Sequence, residues 1–241
     1  MSMYPQSHAR KIELEYGTDN RVVFNFFNAV YGWMAAGLAV TAAVAFACSQ
    51  SPTVMKALAS FGYGGIIALV LGAWALAWAA QKAALQMNAT LGTVLFMCYA
   101  AVIGLIISWI FIVYPMGTLF SAFLITGGTF GAMSVYGFVT KRDLSTIGSY
   151  LVMAFFGLFF ASIANIFFAN DMLSWIITYG VLAVFIGLTA YYTQQLRDTA
   201  VQIGNNGELA SRYAIVGSIM LYIAFINMFM SILRIMGGRN N

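Results

Sequence analysis

The chain has 241 residues, of which 62% are apolar, 16% aromatic and only 7% charged, and its net charge is +4. A soluble domain carries about 25% charged residues, so this composition cannot clothe a water-exposed surface, and it excludes a soluble catalytic domain. The few basic residues sit in short connectors rather than along one stripe, which excludes nucleic acid as the partner. The bilayer is the partner that the composition demands.

In chain order, residues 1–22 come first, a polar leader of mixed charge. They lack the apolar core and small-residue cleavage site of a secretory signal, and their acidic residues argue against a transit peptide. The leader is read as cytoplasmic, with the first span as an uncleaved insertion signal. Its stretches Ile12–Tyr16 and 17–23 are candidate docking or degradation handles.

Residues 23–236 form the membrane domain, followed by a short tail, 237–241. Spanning takes about 20 predominantly apolar residues. Seven stretches qualify: Val23–Ala47, Gly62–Gln81, Thr90–Tyr114, Gly117–Thr140, Ser145–Phe168, Met172–Gln195 and Tyr213–Met236. The expected fold is therefore an all-α integral membrane protein with seven transmembrane helices. Asp143 and Ser145 are placed to cap the fifth helix, and Asn170 or Asp171 the sixth. Asn205-Asn206-Gly207 reads as a turn inside the longest connector of the inner face.

Lys and Arg placement orients the bundle. One face holds Arg10, Lys11, Arg21, Lys82, Lys141, Arg142, Arg197 and Arg212; the other holds Lys56, Arg234 and Arg239. Eight against three puts the N-terminus inside and the C-terminus outside. Small residues recur at four-residue spacing in Gly32/Ala36, Gly127/Gly131 and Gly157/Ala161. Such spacing lets helix backbones approach in lipid, so these positions are expected at tight contacts; a hinge role for Gly127, Gly128 and Gly131 is the lesser alternative. Cys48 and Cys98, in or beside apolar runs, read as buried thiols.

Ionisable groups inside spans are costly and therefore point to function. Within these boundaries only Arg234 lies well inside an apolar helix, near the outer end of the seventh. Snorkelling to outer headgroups is its ordinary role, and a pore-side cation the sharper one. The only histidine, His8, lies in the leader, and no paired carboxylates occupy the spans. Serine, aspartyl or zinc hydrolysis would need such groups, so the chain is read as a non-enzyme with no cofactor. Asn165, Gln194 and Asn227, with Thr189, Tyr192 and Thr193, supply neutral polar groups that either bond between helices or line a narrow path.

From Met133 to Leu151 the chain reads MSVYGFVTKRDLSTIGSYL. This connector, centred on Lys141, Arg142 and Asp143, resembles the signature of the Bax inhibitor-1 family, the transmembrane Bax-inhibitor-motif proteins. AVYGWMAAGL in span one, GLTAYYTQQL in span six and LYIAFINMFMSILRIMG in span seven agree in order and spacing. The resemblance covers roughly residues 20 to 238.

It implies a compact bundle around a central seventh helix. It also implies a pH-sensitive calcium leak, linked in eukaryotes to suppression of cell death and gated by a hydrogen-bonded aspartate pair. Bacterial relatives are tied to a membrane-bound AAA protease. Carried over by position, the paired aspartates fall on Tyr192 and Ala224, so both acids are absent, whereas Asn227 and Arg234 match the span-seven motif. The family's basic partner in span two has no clean counterpart; Lys82 is the nearest residue. A carboxylate pair titrates over a raised range, and a phenol facing a methyl does not.

Two functions follow as expectations. One is a cation leak channel, calcium by resemblance, with altered or absent pH gating. The other is a non-conducting interaction protein that binds or modulates a membrane protease or another complex. A bacterial inner membrane is the expected location, with an organelle membrane as the alternative.

Overall fold

The computed structural model describes residues 6–238, except for the side chains of residues 6–20, Tyr63 and Ile66. The leader's docking stretches therefore lie almost wholly outside the described side chains. Nine helices follow one another among the described residues: α1 (Gln6–Ser49), α2 (Pro52–Ser60), α3 (Gly62–Gln86), α4 (Ala89–Ile107), α5 (Ile110–Val113), α6 (Met116–Val139), α7 (Ser145–Phe168), α8 (Asp171–Ile203) and α9 (Gly207–Gly237). Seven segments are long and apolar enough to cross a membrane, α4 and α5 together making the third. An odd number of spans sets α1's entry and the end of α9 on opposite sides, here called the entry face and the far face.

The central seventh helix is present as expected. Two-thirds (67%) of its apolar window is buried, against none (0%) for α7. α9 packs against α1, α3, α4, α6 and α8, while α7 leans chiefly on α8. Outward residues of α7 such as Phe160, Phe167 and Phe168 are exposed, which suits a lipid-facing helix whose surroundings are as apolar as its core.

The sixth and seventh spans depart most from their expected bounds. α8 runs on to Ile203 and α9 begins at Gly207, so the expected long connector shrinks to residues 204–206. The helices continue past the apolar zone because their polar ends find partners. Glu208 pairs with Arg212 one turn later at 2.6 Å, and Asn206 Oδ1 accepts from Leu209 N at 3.1 Å. The turn itself uses Gly204 at φ +57°, a left-handed conformation that glycine adopts without a Cβ penalty. The second spanning segment shifts to Ile67–Gln86. Lys82 does not end it, because its ammonium lies over the Trp78 ring at 4.8 Å.

α3 carries a stripe of buried alanines, the last of which meets α4. Ala73, Ala77, Ala80 and Ala84 recur at spacings of four, three and four and are buried, the register of a coiled-coil seam. A Cβ on Gly92 would come within 2.5 Å of the Ala84 Cβ, so the helices meet there at backbone range.

The close glycines are not those the spacing rule selects. Nothing lies within 4 Å of a Cβ built on Gly32, Gly127, Gly128, Gly131 or Gly157. The tight approaches occur at Gly37 against Phe96, Gly104 against the Thr41 carbonyl, Gly137 against the Ala190 carbonyl and Gly217 against Leu196. Four-residue spacing identifies a face of small residues but not which way that face points. The thiols need a similar correction: both are free, Cys48 is only partly buried, and Cys98 is exposed.

Candidate functional site

Tyr192 and Asn227 line one cavity of about 590 Å³, walled by α3, α4, α7, α8 and α9. Its polar side chains are Gln81, Tyr99, Ser162, Tyr192 and Asn227, together with the indoles of Trp74 and Trp78, and the remaining wall is aliphatic and aromatic. No carboxylate or cation lines it among the described residues. Trp74 closes one side by stacking on Phe159 with ring centroids 4.7 Å apart. The Asn227 amide donates to Ile223 O at 2.8 Å, and its carbonyl oxygen of the main chain accepts from Ser231 Oγ at 2.9 Å.

Ala224 is apart from this cavity. It is fully buried (0% exposed) and lies one turn before Met228, whose sulfur accepts from Thr189 Oγ1 at 3.5 Å. That places Ala224 on the stripe of α9 facing α8, in close-packed surroundings. Thr189 and Thr193 donate to Phe185 O and Thr189 O at 2.7 and 2.8 Å, so their hydroxyls are engaged within their own helix. Tyr192 and Ala224, the residues onto which the resemblance carries the aspartate pair, thus differ: Tyr192 faces open volume and Ala224 faces packed side chains.

The other polar residues singled out by sequence lie at the membrane edges. Gln194 is buried and pins the connector between α6 and α7. Its Oε1 accepts from Leu144 N at 2.8 Å and its Nε2 donates to Arg142 O at 2.7 Å. Lys141, Arg142 and Asp143 themselves are exposed or nearly so. Asp143 Oδ1 accepts from Ser145 N at 2.8 Å and from Ser145 Oγ at 2.5 Å, and these bonds hold its carboxyl below the usual carboxylate range. Asn165 closes the far end of α7, where its Oδ1 accepts from Asn170 N at 3.1 Å beside Ala169 in the left-handed region at φ 47°. Asn170 then caps α8 by accepting from Leu173 N at 3.0 Å. Arg234 is exposed at the far face, where its guanidinium donates to Ser174 Oγ. It lines a cavity of about 490 Å³ with Tyr114, Asp171, Ser174 and Trp175. Lys82, turned outward over Trp78, lines neither cavity.

Two constellations escaped the sequence reading. The first is buried. Thr41 Oγ1 and the Tyr222 hydroxyl lie 2.5 Å apart, and Thr41 Oγ1 also donates to Ala100 O at 2.9 Å, joining α1, α4 and α9. Phe96 and Tyr99 meet the Tyr222 ring edge to face at 5.4 and 5.6 Å. The second is a pair of arginines at the entry face. Arg197 donates to Phe138 O at 2.7 Å and Thr140 O at 3.3 Å, at the end of α6. Arg212 donates to Leu85 O at 3.0 Å and Met87 O at 3.3 Å, at the end of α3. A cation at a helix C-terminus satisfies unpaired carbonyls and offsets the macrodipole. Both arginines counted only as topology signals in the sequence; their spacing from their targets, over 50 residues or more, gives no local cue.

The family model described as Inhibitor of apoptosis-promoting Bax1 matches residues 23–241. The inner membrane protein YbhL of Escherichia coli is 43% identical over 211 residues, covering 87% of this chain and 90% of its own length. An uncharacterised protein of Deinococcus radiodurans is 39% identical over 218 residues, covering 90% of this chain and 92% of its own. One of Borreliella burgdorferi is 37% identical over 216 residues, covering 90% and 93%. With its seven spans, its buried seventh helix and a match across the whole membrane domain, the chain belongs to the Bax inhibitor-1 family.

Proposed function

We propose that the protein is a cation leak pathway, for calcium by family resemblance, whose gate is neutral and steric rather than acidic. The observation that carries this reading is the shared cavity of Tyr192 and Asn227, which lies between span six and the central seventh helix. Amide, hydroxyl and backbone oxygens are hard ligands that suit a transient calcium contact. A phenol at residue 192 does not shed its proton near neutral pH, so conduction is expected to be insensitive to pH between 6 and 8. The leader face is cytoplasmic in this reading and the membrane is a bacterial inner membrane, supported by the description of the Escherichia coli relative as an inner membrane protein.

A second reading, a non-conducting interaction protein that engages a membrane-bound AAA protease or another complex, is favoured by one observation: Ala224 has no open volume beside it. Calcium flux into proteoliposomes at pH 6 and pH 8 separates the two. Equal flux at both pH values, reduced by Tyr192→Trp, supports the neutral leak. No flux from the natural protein, with flux gained in Tyr192→Asp/Ala224→Asp, removes the leak reading and leaves the interaction protein. Removal of the first 20 residues followed by partner capture then tests whether the leader is its handle.

A further inference from the structure

A groove of about 620 Å³ runs between α1 and α6 at the entry face. Phe27 and Phe138 meet edge to face across it at 5.2 Å, and Tyr31 and Phe130 do so at 6.5 Å. Two polar groups interrupt this apolar lining. Ser134, only 6% exposed, borders it, and its hydroxyl oxygen is itself buried with no hydrogen-bond partner. Asn28 lines the opposite wall and forms no side-chain hydrogen bond among the described residues.

The serine departs from a rule that the other buried hydroxyls obey. Thr126, Thr189, Ser218 and Ser231 each donate to a carbonyl one turn back, as do the remaining buried serines and threonines. A buried unpaired hydroxyl costs about 1–3 kcal/mol, and rotation about the Cα–Cβ bond of Ser134 would turn it toward a partner held in the groove.

Depth and charge identify that partner. Asn28 lies seven residues after Arg21, about 10 Å along the helix, and Ser134 five residues before the end of α6, about 8 Å. The two polar groups thus sit at matching depth beneath the entry face. Arg21 is exposed and one turn before Phe24, a groove residue; Lys141 and Arg142 follow Phe138 by three and four residues. No carboxylate within 4 Å pairs with any of these three cations among the described residues.

We propose that this groove is a specific site for an anionic phospholipid of the entry-face leaflet. One acyl chain lies along Phe27, Tyr31 and Phe130, the ester carbonyls accept from the exposed Asn28 amide and from Ser134 Oγ once its side chain turns toward the groove, and the phosphate faces Arg21, Lys141 and Arg142. A hydrocarbon chain suits the wall, a carbonyl suits two unpaired donors, and a negative headgroup suits the rim. The site is separate from the cavity of Tyr192, and it stands whether or not the protein conducts.

The test uses the full chain in phosphatidylcholine vesicles carrying either phosphatidylglycerol or phosphatidylcholine with the same diazirine-labelled acyl chain. After irradiation, mass spectrometry of peptides locates the adducts. The expected result is labelling of 23–31 and 130–138 several-fold higher with the anionic probe. Asn28→Ala/Ser134→Ala should lower that yield about fivefold, and Lys141→Gln/Arg142→Gln should bring the two probes together. Gly131→Leu adds a side chain where nothing lies within 4 Å of the Cβ, and should abolish groove labelling with the thermal midpoint retained. Equal yields from both probes in the natural protein would overturn the proposal, as would labelling no stronger in the groove than on the exposed face of α7. Copy-to-copy cross-links through the groove would overturn it in favour of a second protein chain.

Discussion

At the scale of single residues, the polar groups of this chain act mainly as fasteners. Gln194 is the clearest case, since one buried amide satisfies both a donor and an acceptor of the connector at residues 142–144. Gln194→Ala leaves Leu144 N and Arg142 O without partners and should destabilise the protein by about 1–3 kcal/mol, read as a lower thermal midpoint in detergent. Thr41 and Tyr222 form a coupled pair. Tyr222→Phe leaves Thr41 its bond to Ala100 O and should cost about 1 kcal/mol, whereas Thr41→Val strands a buried phenol and should cost more. The double variant should cost less than the sum, which a thermal double-mutant cycle measures. Asp143 supplies a pH dependence of known sign. Because its carboxyl is held below its usual range by Ser145, its contribution is complete above the ordinary carboxylate pKa of about 4 and disappears as pH falls through the lower folded value. Protection of the Ser145 amide in hydrogen exchange, corrected for intrinsic rate, should therefore hold from neutral pH down to about 4 and fall only below it.

At the scale of helices, the decisive feature is which small residues meet a neighbour. A methyl at Gly137 would sit 2.2 Å from the Ala190 carbonyl oxygen, a backbone atom held by α8. Gly137→Ala should push α6 from α8 and lower the thermal midpoint sharply. Gly131→Ala meets nothing within 4 Å and replaces glycine by the best helix former, so it should be neutral or stabilising by up to about 1 kcal/mol. The sequence rule ranks Gly131 as the contact glycine, so the two variants in one thermal series test the packing directly. Arginines 197 and 212 act at the same scale: each ties the last carbonyls of one span to the entry-face end of another. Arg212→Ala frees the end of α3 near Leu85 and Met87 and should raise hydrogen exchange there while leaving α6 unchanged.

At the scale of the whole bundle, Tyr192 and Ala224, onto which the resemblance carries the aspartate pair, sit in unlike surroundings. Tyr192 borders open volume, so Tyr192→Asp places a carboxyl beside Asn227, Gln81 and Tyr99 and should be tolerated. Ala224 is fully buried against α8. Ala224→Asp adds volume and an unpaired carboxyl to a packed seam and should lower stability by several kcal/mol. Purified yield and thermal midpoint of the two single variants distinguish these outcomes, independent of flux. An Ala224→Asp protein as stable as the parent would show that the seam opens.

The seven spans were legible in the sequence because hydrocarbon demands about 20 apolar residues at each crossing, whatever the tertiary arrangement. The odd crossing number, the cap at Asn170 and the four family motifs were local properties, and so they too could be read from residues 23–237 alone; Asp143, expected as a cap, instead closes a two-residue turn onto Ser145, and the N-cap position of α7 is Leu144. Which side of each helix faces its neighbours was not legible. In lipid, inside and outside are equally apolar, so hydrophobicity cannot separate Gly131 from Gly137 or Ala224 from the cavity wall. Tertiary structure alone decided that Gln194 fastens a connector 50 residues before it, that Tyr192 and Asn227 share a cavity, and that Tyr222 reaches Thr41 across 181 residues of sequence. These pairings depend on helix rotation and depth, which are set by packing between segments far apart in the chain.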